Sequence, residues 1–488
     1  MNRFTGFLAA AALTLLTATQ SSLGARIPDP PRLRSGQAGS RSDATITHVL
    51  NRLTFGARPG DLDRVQAMGL AAWIDQQLHP SRIDDQTADA RLPQLADPPD
   101  AATPQERRRF ARRQVETLAS AKLVRAMYSE RQLQEVLVDF WFNHFNVYAA
   151  KGRTAIYLPA YERDVIRPHV FDRFRELLEA DAKSPAMLFY LDNWVSTAVD
   201  RDRGSGIRDP QVQGSKIQRR GRAGRIPDPG SRIPVTRANA KKRPRGLNEN
   251  YGRELLELHT LGVDGGYTQA DVTEVARAFT GWTIDRDGRF RFVAALHDNG
   301  EKTVLGHRIK ASGQDEGEQV LDILASHPST AHHIAFELAQ RLVADEPPPA
   351  LVERAAARFR DTGGDLREVV KTIVTSPEFL APEARGAKFK TPFELVVSAV
   401  RTTGAEVDDA RAFVQTLQQL GQPLYMCQPP TGYKDTADAW VSAGGLVTRM
   451  NFATRLASGN MPGVTLPASA PPARELALKI GSPEFQRF

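Results

Sequence analysis

A single cysteine, Cys427, stands in the 488 residues, which excludes an internal disulfide framework and any zinc site built on clustered cysteines. No apolar run reaches the ~18–20 residues of a membrane span. Aromatic residues are sparse at 7% and vanish between Trp194 and Tyr251, so that stretch offers no stacking platform for single-stranded nucleic acid. A GxSxG elbow, a P-loop, a dinucleotide fingerprint and an HExxH pair are all missing, which argues against the commonest hydrolase, nucleotide-binding and zincin readings. What remains is an ordinary globular composition, 41% hydrophobic and 25% charged, in a chain long enough for one large domain or two to three smaller ones.

The first residues read as an address. Asn2 and Arg3 precede the uncharged, Ala/Leu-rich run Phe4–Ala18, and small residues follow at Ser22-Leu23-Gly24. This pattern predicts a secretory signal over 1–24, the alternative being an N-terminal membrane anchor. A flexible segment is expected over 25–43.

The net charge of +7 is unevenly spread. Fourteen Lys/Arg against three Asp fall between Arg201 and Arg245, a local +11, so the rest of the chain sums to 7 − 11 = −4. The stretch is rich in Gly, Pro, Arg and Ser and cannot bury enough apolar surface to order itself. It also repeats itself: Arg26-Ile-Pro-Asp-Pro30 recurs at Arg225–Pro229, and Arg232-Ile-Pro234 begins a third copy. A disordered insert over 201–245 is expected, with a tether to an anionic surface as the second reading. Nucleic acid is not an expected partner.

The body reads as helix. Ile46, Val49, Leu50 and Leu53 keep an i, i+3, i+4, i+7 rhythm; longer patterns cover about 105–127 and 130–148, others 160–180 and 184–192. Beyond the insert, Leu247 and Asn248 open a helix expected to run through Leu261, and Thr268 with Asp271 opens another. The β signal is confined to 289–309, where Phe290 and Phe292 alternate with arginines and Asp298-Asn-Gly300 makes a turn. The predicted fold is mainly α, a multi-helix domain with a small β-hairpin near 289–309 and a disordered insert. Residues 44–200 and 246–488 are two parts of one domain.

Three places offer chemistry. His144 ends an apolar helix and points to its core side, either as a hydrogen-bonded core residue or as a ligand. On the 248–259 segment, Asn250, Glu254 and Glu257 share a face at i, i+4, i+7, with His259 near the end. Paired carboxylates and an imidazole can hold a divalent metal or act as acid and base; equally, ion pairs can simply knit such a helix. His297 beside Asp298 sits at a turn, and is harder to explain as a turn former than its neighbours. His332 and His333 are adjacent on a helix and diverge by about 100°, too far to share a metal. The loop 422–433, with Tyr433 and the nearby Trp440, can wall a cleft or pack as a rigid crossover.

Several of these stretches together resemble the bacterial family known as domain of unknown function 1800. They are His48-Val-Leu-Asn-Arg-Leu-Thr-Phe-Gly56, Phe140-Trp-Phe-Asn-His-Phe145, Ser184–Asn193, Leu247–Gly262, Gly266–Asp271, Phe279-Thr-Gly-Trp282, His297-Asp298 and Gln428–Tyr433. Gly252 departs from the alanine usual in the family, and the insert is longer than the usual link. The resemblance implies an exported, mainly helical protein, often encoded beside a sulfatase- or phosphatase-like one, but no settled activity. Two functions stay open. One is an accessory or binding protein of the periplasm or cell surface working with such a partner, with Asp192, Asn193, Asn250, Tyr433 and Trp440 as binding candidates. The other is a metal-assisted hydrolase with Glu254, Glu257 and His259 as catalytic candidates and one divalent metal on Glu254, His259 and His297; Asp192 and His144 then support the site. Catalysis requires the 248–259 helix and the 297 turn to meet in one cleft.

Overall fold

The apolar repeat at Ile46, Val49, Leu50 and Leu53 becomes the buried face of a helix, Ser35–Leu53. The computed structural model describes residues 35–96, 103–198 and 246–488. Residues 43–488 form one unit; of the residues before it, those described are the opening turns of that helix. The segment expected to be flexible over 25–43 is thus helical from Ser35 onward. The expected signal (1–24) and basic insert (201–245) lie outside the described residues. Among the described residues no helix is long and apolar enough to cross a membrane.

Helices begin where their caps stand. Asn248 Oδ1 accepts the Tyr251 amide at 3.2 Å and opens Glu249–Glu257. Thr268 and Asp271 form a reciprocal capping box at the start of Gln269–Ala278. Thr391 and Glu394 do the same for Pro392–Thr403, a helix buried almost all round. Trp141, on the helix Gln132–His144, is fully buried; Phe145 stacks on it and Phe174 lies against it at a tilt. Each side chain of this size contributes roughly 1.5–3 kcal/mol by leaving water.

The mainly α class holds, with only short antiparallel strand pairs. The β region forms two ribbons, with Trp282–Ile284 on Phe290–Phe292 and Lys302–Val304 on His307–Ile309. Asp298-Asn-Gly300 joins the two ribbons instead of turning one hairpin, because Asp298 is drawn inward onto Arg277, which it binds at 2.9 and 3.1 Å. A third pair, Glu406–Val407 with Val464–Thr465, was not expected.

Two helices are shorter than their apolar patterns suggest, and both matter for the site. The pattern over 160–180 breaks into Thr154–Ala160, a π-turn at Tyr161–Ile166, the short turn Arg167–His169, and Phe174–Ala182. The π-turn lets consecutive Tyr161 and Glu162 both face inward, Tyr161 Oη donating to Asp181 at 2.6 Å and Glu162 accepting from Tyr425 Oη at 2.5 Å. The helix from Asn248 ends at Glu257, four residues before Leu261. There the Thr260 hydroxyl takes the Leu255 carbonyl at 2.7 Å, and the His259 amide reaches back to Glu254 O at 3.1 Å. His259 therefore leaves the helix face and turns into the core. Gly252 is also explained: a Cβ there would stand 2.7 Å from the Val272 carbonyl oxygen, so the glycine lets two helices touch.

Candidate functional site

A cleft of about 270 Å³ opens between the helix Gln132–His144 and the helix Pro328–Leu342. The segments 257–263 and 422–435 supply its other walls, and Lys122 reaches it from the helix Pro104–Tyr128. Spacing explains who faces it. His333, Glu337 and Arg341 recur every four residues and form one polar stripe, while Ile334, Leu338 and Leu342 bury the neighbouring face, about 100° round the helix. Asp139 and Asn143 are likewise four apart on the facing helix.

Glu337 is the centre of the arrangement. Its Oε2 lies 2.6 Å from Nδ1 of the buried His144, and its Oε1 lies 3.6 Å from Nε2 of His333. Burial opposes ionisation of Glu337, but the charge and hydrogen bond of His144 outweigh it and hold the carboxyl below its usual range. Burial also opposes the charge on His144, yet Glu337 holds that imidazole above its ordinary value. His333 goes the other way, lowered by burial against the pull of Glu337. On the cleft floor, then, a carboxylate favoured in its charged form stands between one histidine favoured in its charged form and one favoured in its neutral form.

Behind His144 the chain of groups continues inward. His144 Nε2 donates to the His259 carbonyl at 3.3 Å, and His259 Nδ1 approaches Asp181 Oδ2 at 3.9 Å. Burial, then the nearby His144 charge, push His259 down to about 3. Burial lifts Asp181 to about 7, against the Tyr161 hydrogen bond and His144. At neutral pH this contact therefore joins a neutral imidazole to a partly protonated carboxyl and is not an ion pair.

A buried ion network braces the other end. Arg341 contacts Glu394 at 2.9 Å, Asp435 at 3.0 Å and Asp139 at 3.3 Å, and Asp139 also holds Lys122 at 2.7 Å. Burial works against the Asp139 charge, but Lys122 and Arg341 keep its carboxyl below the usual range. The 422–435 wall is latched by a reciprocal pair: Asn143 Nδ2 donates to Tyr433 O and Asn143 Oδ1 accepts from Tyr433 N, both at 2.7 Å. A Cβ on Gly432 would collide with the Asn143 carbonyl oxygen at 2.3 Å, and its φ of 68° suits glycine.

The residues singled out in the sequence separate into those at this cleft and those elsewhere. Glu257 lines it while accepting from Tyr267 Oη at 2.7 Å. Tyr433 lines it, with Trp440 behind at 6.0 Å between rings. His259 stands one layer back. Glu254 is half-buried and outside the lining, its carboxyl raised by burial and by Glu257. Asn250 is exposed, and Asp192 is exposed on Lys151 at 2.8 Å. Asn193 is buried and donates to the Phe279 carbonyl at 3.1 Å. His297 is buried with Thr280 O at 2.8 Å and Glu316 Oε1 at 3.1 Å. Glu254, His259 and His297 therefore do not converge, and the 297 turn does not reach the cleft. Among the described residues no three His, Cys, Asp or Glu side chains are grouped to hold a metal ion. Glu337, His333, Asp139 and Arg341 were not anticipated as a site; the i, i+4, i+8 polar stripe on an otherwise apolar helix was the available signal.

No curated protein and no solved structure matches the chain. The family model described as protein of unknown function (DUF1800) matches residues 48–486, nearly the whole length, and the chain belongs to that family.

Proposed function

We propose that the chain is an exported binding protein that takes a small polar ligand into the cleft above Glu337 and serves as accessory to a sulfatase- or phosphatase-like partner. One observation carries the binding part of this reading: an ionised carboxylate, held by buried His144, lies on the floor of a cleft whose wall is pinned by Asn143. Such a carboxylate is a preorganised acceptor for ligand hydroxyl or ammonium groups. A volume of about 270 Å³ suits a small molecule or the end of a chain better than a broad polymer face. Export and the partner rest on the signal-like start and the family resemblance.

The test is a thermal-shift and calorimetric panel of small amines, amino sugars and polyols against the wild type and Glu337→Gln. Binding by at least one class, weakened tenfold or more in the variant, is expected. Absence of binding across the panel, or binding untouched by the variant, overturns the reading. Hydrolysis is the second reading. It is favoured by His333, which burial pushes below the ordinary histidine value and whose Nε2 has no hydrogen-bond partner among the described residues while lying 3.6 Å from the Glu337 carboxylate, as an acid–base group requires.

A further inference from the structure

The helix Pro104–Tyr128 carries charges that its own stability does not explain. Five of the seven residues 107–113 are arginine, with no lysine and no acid among them. All five are exposed. Among the described residues none of the five guanidiniums has an ion-pair, hydrogen-bond or ring partner. Glu106, the acid next to them in sequence, is spent on the capping box with Thr103.

At 100° per residue, Arg108, Arg109, Arg112 and Arg113 fall within an arc of about 140°. Ala111, Gln114 and Leu118, on the other side, are buried and seat the helix on the body. The four arginines therefore make a two-by-two array on the solvent face, its rows one turn, or about 6 Å, apart. The array works against the helix: Arg108 with Arg112 and Arg109 with Arg113 are like-charge pairs at i, i+4, and Arg109 with Arg112 is one at i, i+3. It also stands on an acidic body. Outside 201–245 the chain sums to −4, and without residues 107–113 to −4 − 5 = −9.

The surroundings of the array select its partner. No large hydrophobic residue is exposed on this part of the helix. Single-stranded nucleic acid would lack a stacking platform, a membrane interface would lack apolar residues to take up, and a protein partner would lack an anchor. A broad anionic surface or a long duplex would also meet the acidic body. A thin hydrophilic strand with anionic groups at intervals meets none of these objections, and the planar guanidinium fork takes sulfate or carboxylate two bonds at a time.

We propose that the face formed by Arg108, Arg109, Arg112 and Arg113 binds one strand of an acidic polysaccharide through its sulfate or carboxylate groups. None of the four lines the Glu337 cleft, so the two sites are separate.

The test is the affinity of the full chain for dextran sulfate and for polygalacturonate across a salt series, the two probes telling sulfate from carboxylate. In the variant Arg108→Gln/Arg109→Gln/Arg112→Gln/Arg113→Gln, affinity for at least one polymer should fall tenfold or more, with a shallower salt dependence. Its melting temperature should be equal or higher, because repulsion is relieved. The control Arg286→Gln/Arg291→Gln/Arg360→Gln/Arg474→Gln removes the same charge from exposed positions elsewhere and should change affinity less than twofold. Equal losses in both variants would reduce the effect to net charge, and no loss in the first would assign polymer binding to another segment; either overturns the site. A lower melting temperature in the first variant also overturns it, by showing that the arginines have partners within the fold. Duplex DNA, polyglutamate or phosphatidylglycerol vesicles bound as tightly, with the same dependence on these four residues, would overturn the polysaccharide assignment.

Discussion

Glu337, half-buried, and His144, buried, form a pair whose members shift each other in opposite directions, and the consequence is a pH window. His144 is raised above its unfolded value, so its contribution is complete below about pH 6.5 and fades as pH rises through the folded pKa. Glu337 is lowered, so its contribution is complete above about pH 4.3 and fades as pH falls through its folded pKa. The pair therefore stabilises most between those two limits. The glutamate side chain is 29% exposed, which tempers the effect. Glu337→Gln should cost about 1–3 kcal/mol inside the window and less on either side, as urea titrations across pH 4–9 would measure. By NMR, His144 should titrate above its ordinary range in the wild type and fall below it in the variant, because burial then acts without its counter-charge. An unmoved His144 titration would mean that Glu337 is not what keeps it charged.

The cleft wall behaves as an element with a latch. Its loop, 422–435, holds Tyr425, Tyr433 and Asp435 against three different helices, but Asn143 alone satisfies both backbone groups of Tyr433. Asn143→Ala removes both bonds while leaving helix propensity intact or improved. Faster amide exchange confined to about 423–435, weaker ligand binding and a stability loss of about 1–3 kcal/mol are expected. Protection unchanged at Tyr433 would show that packing, not the latch, fixes the loop. Elements of this kind also show what the sequence could and could not reveal. Caps are local, so Asn248 and the Thr268–Asp271 box were legible; the apolar rhythm Leu133, Val136, Leu137, Phe140 and Trp141 within the expected 130–148 helix is buried except at Phe140, which is half-buried at the cleft. The place where a helix stops was less legible: Thr260 ends the 249–257 helix by a side-chain bond that competes with the backbone, and that turned His259, expected near the end of the same helix, into the core. The site itself was hidden for a different reason. His144 and Glu337 lie 193 positions apart, and no local pattern pairs them. Only the His333, Glu337, Arg341 stripe hinted that one helix turned a polar face inward.

At the scale of the whole molecule, the two parts of the family domain meet directly where residues 196–197 bond to 246–248. The Thr197 amide donates to the Gly246 carbonyl at 3.1 Å, and the Asn248 amide to the Ser196 hydroxyl at 3.2 Å. The chain thus leaves at residue 198 and returns at 246 through neighbouring, hydrogen-bonded points, and the Asn248 cap of the 249–257 helix is set within that junction. Asn248 Nδ2 adds a 2.6 Å bond to the Leu191 carbonyl. Closing a long loop costs only about 0.6 kcal/mol more per doubling of its length, so the span between the two points adds little to the free energy of the fold either way. Replacing 199–245 by a short Gly/Ser linker should therefore leave the melting temperature within a few degrees and ligand binding at Glu337 within a factor of about two. The deletion should also remove the net positive excess: 199–245 carries 14 Lys/Arg against four Asp, so a net +7 chain becomes 7 − 10 = −3, with weaker retention on a cation exchanger. If the shortened chain melts markedly earlier or loses the cleft, the basic segment is part of the folded structure, and its charge has a partner on the body of the protein.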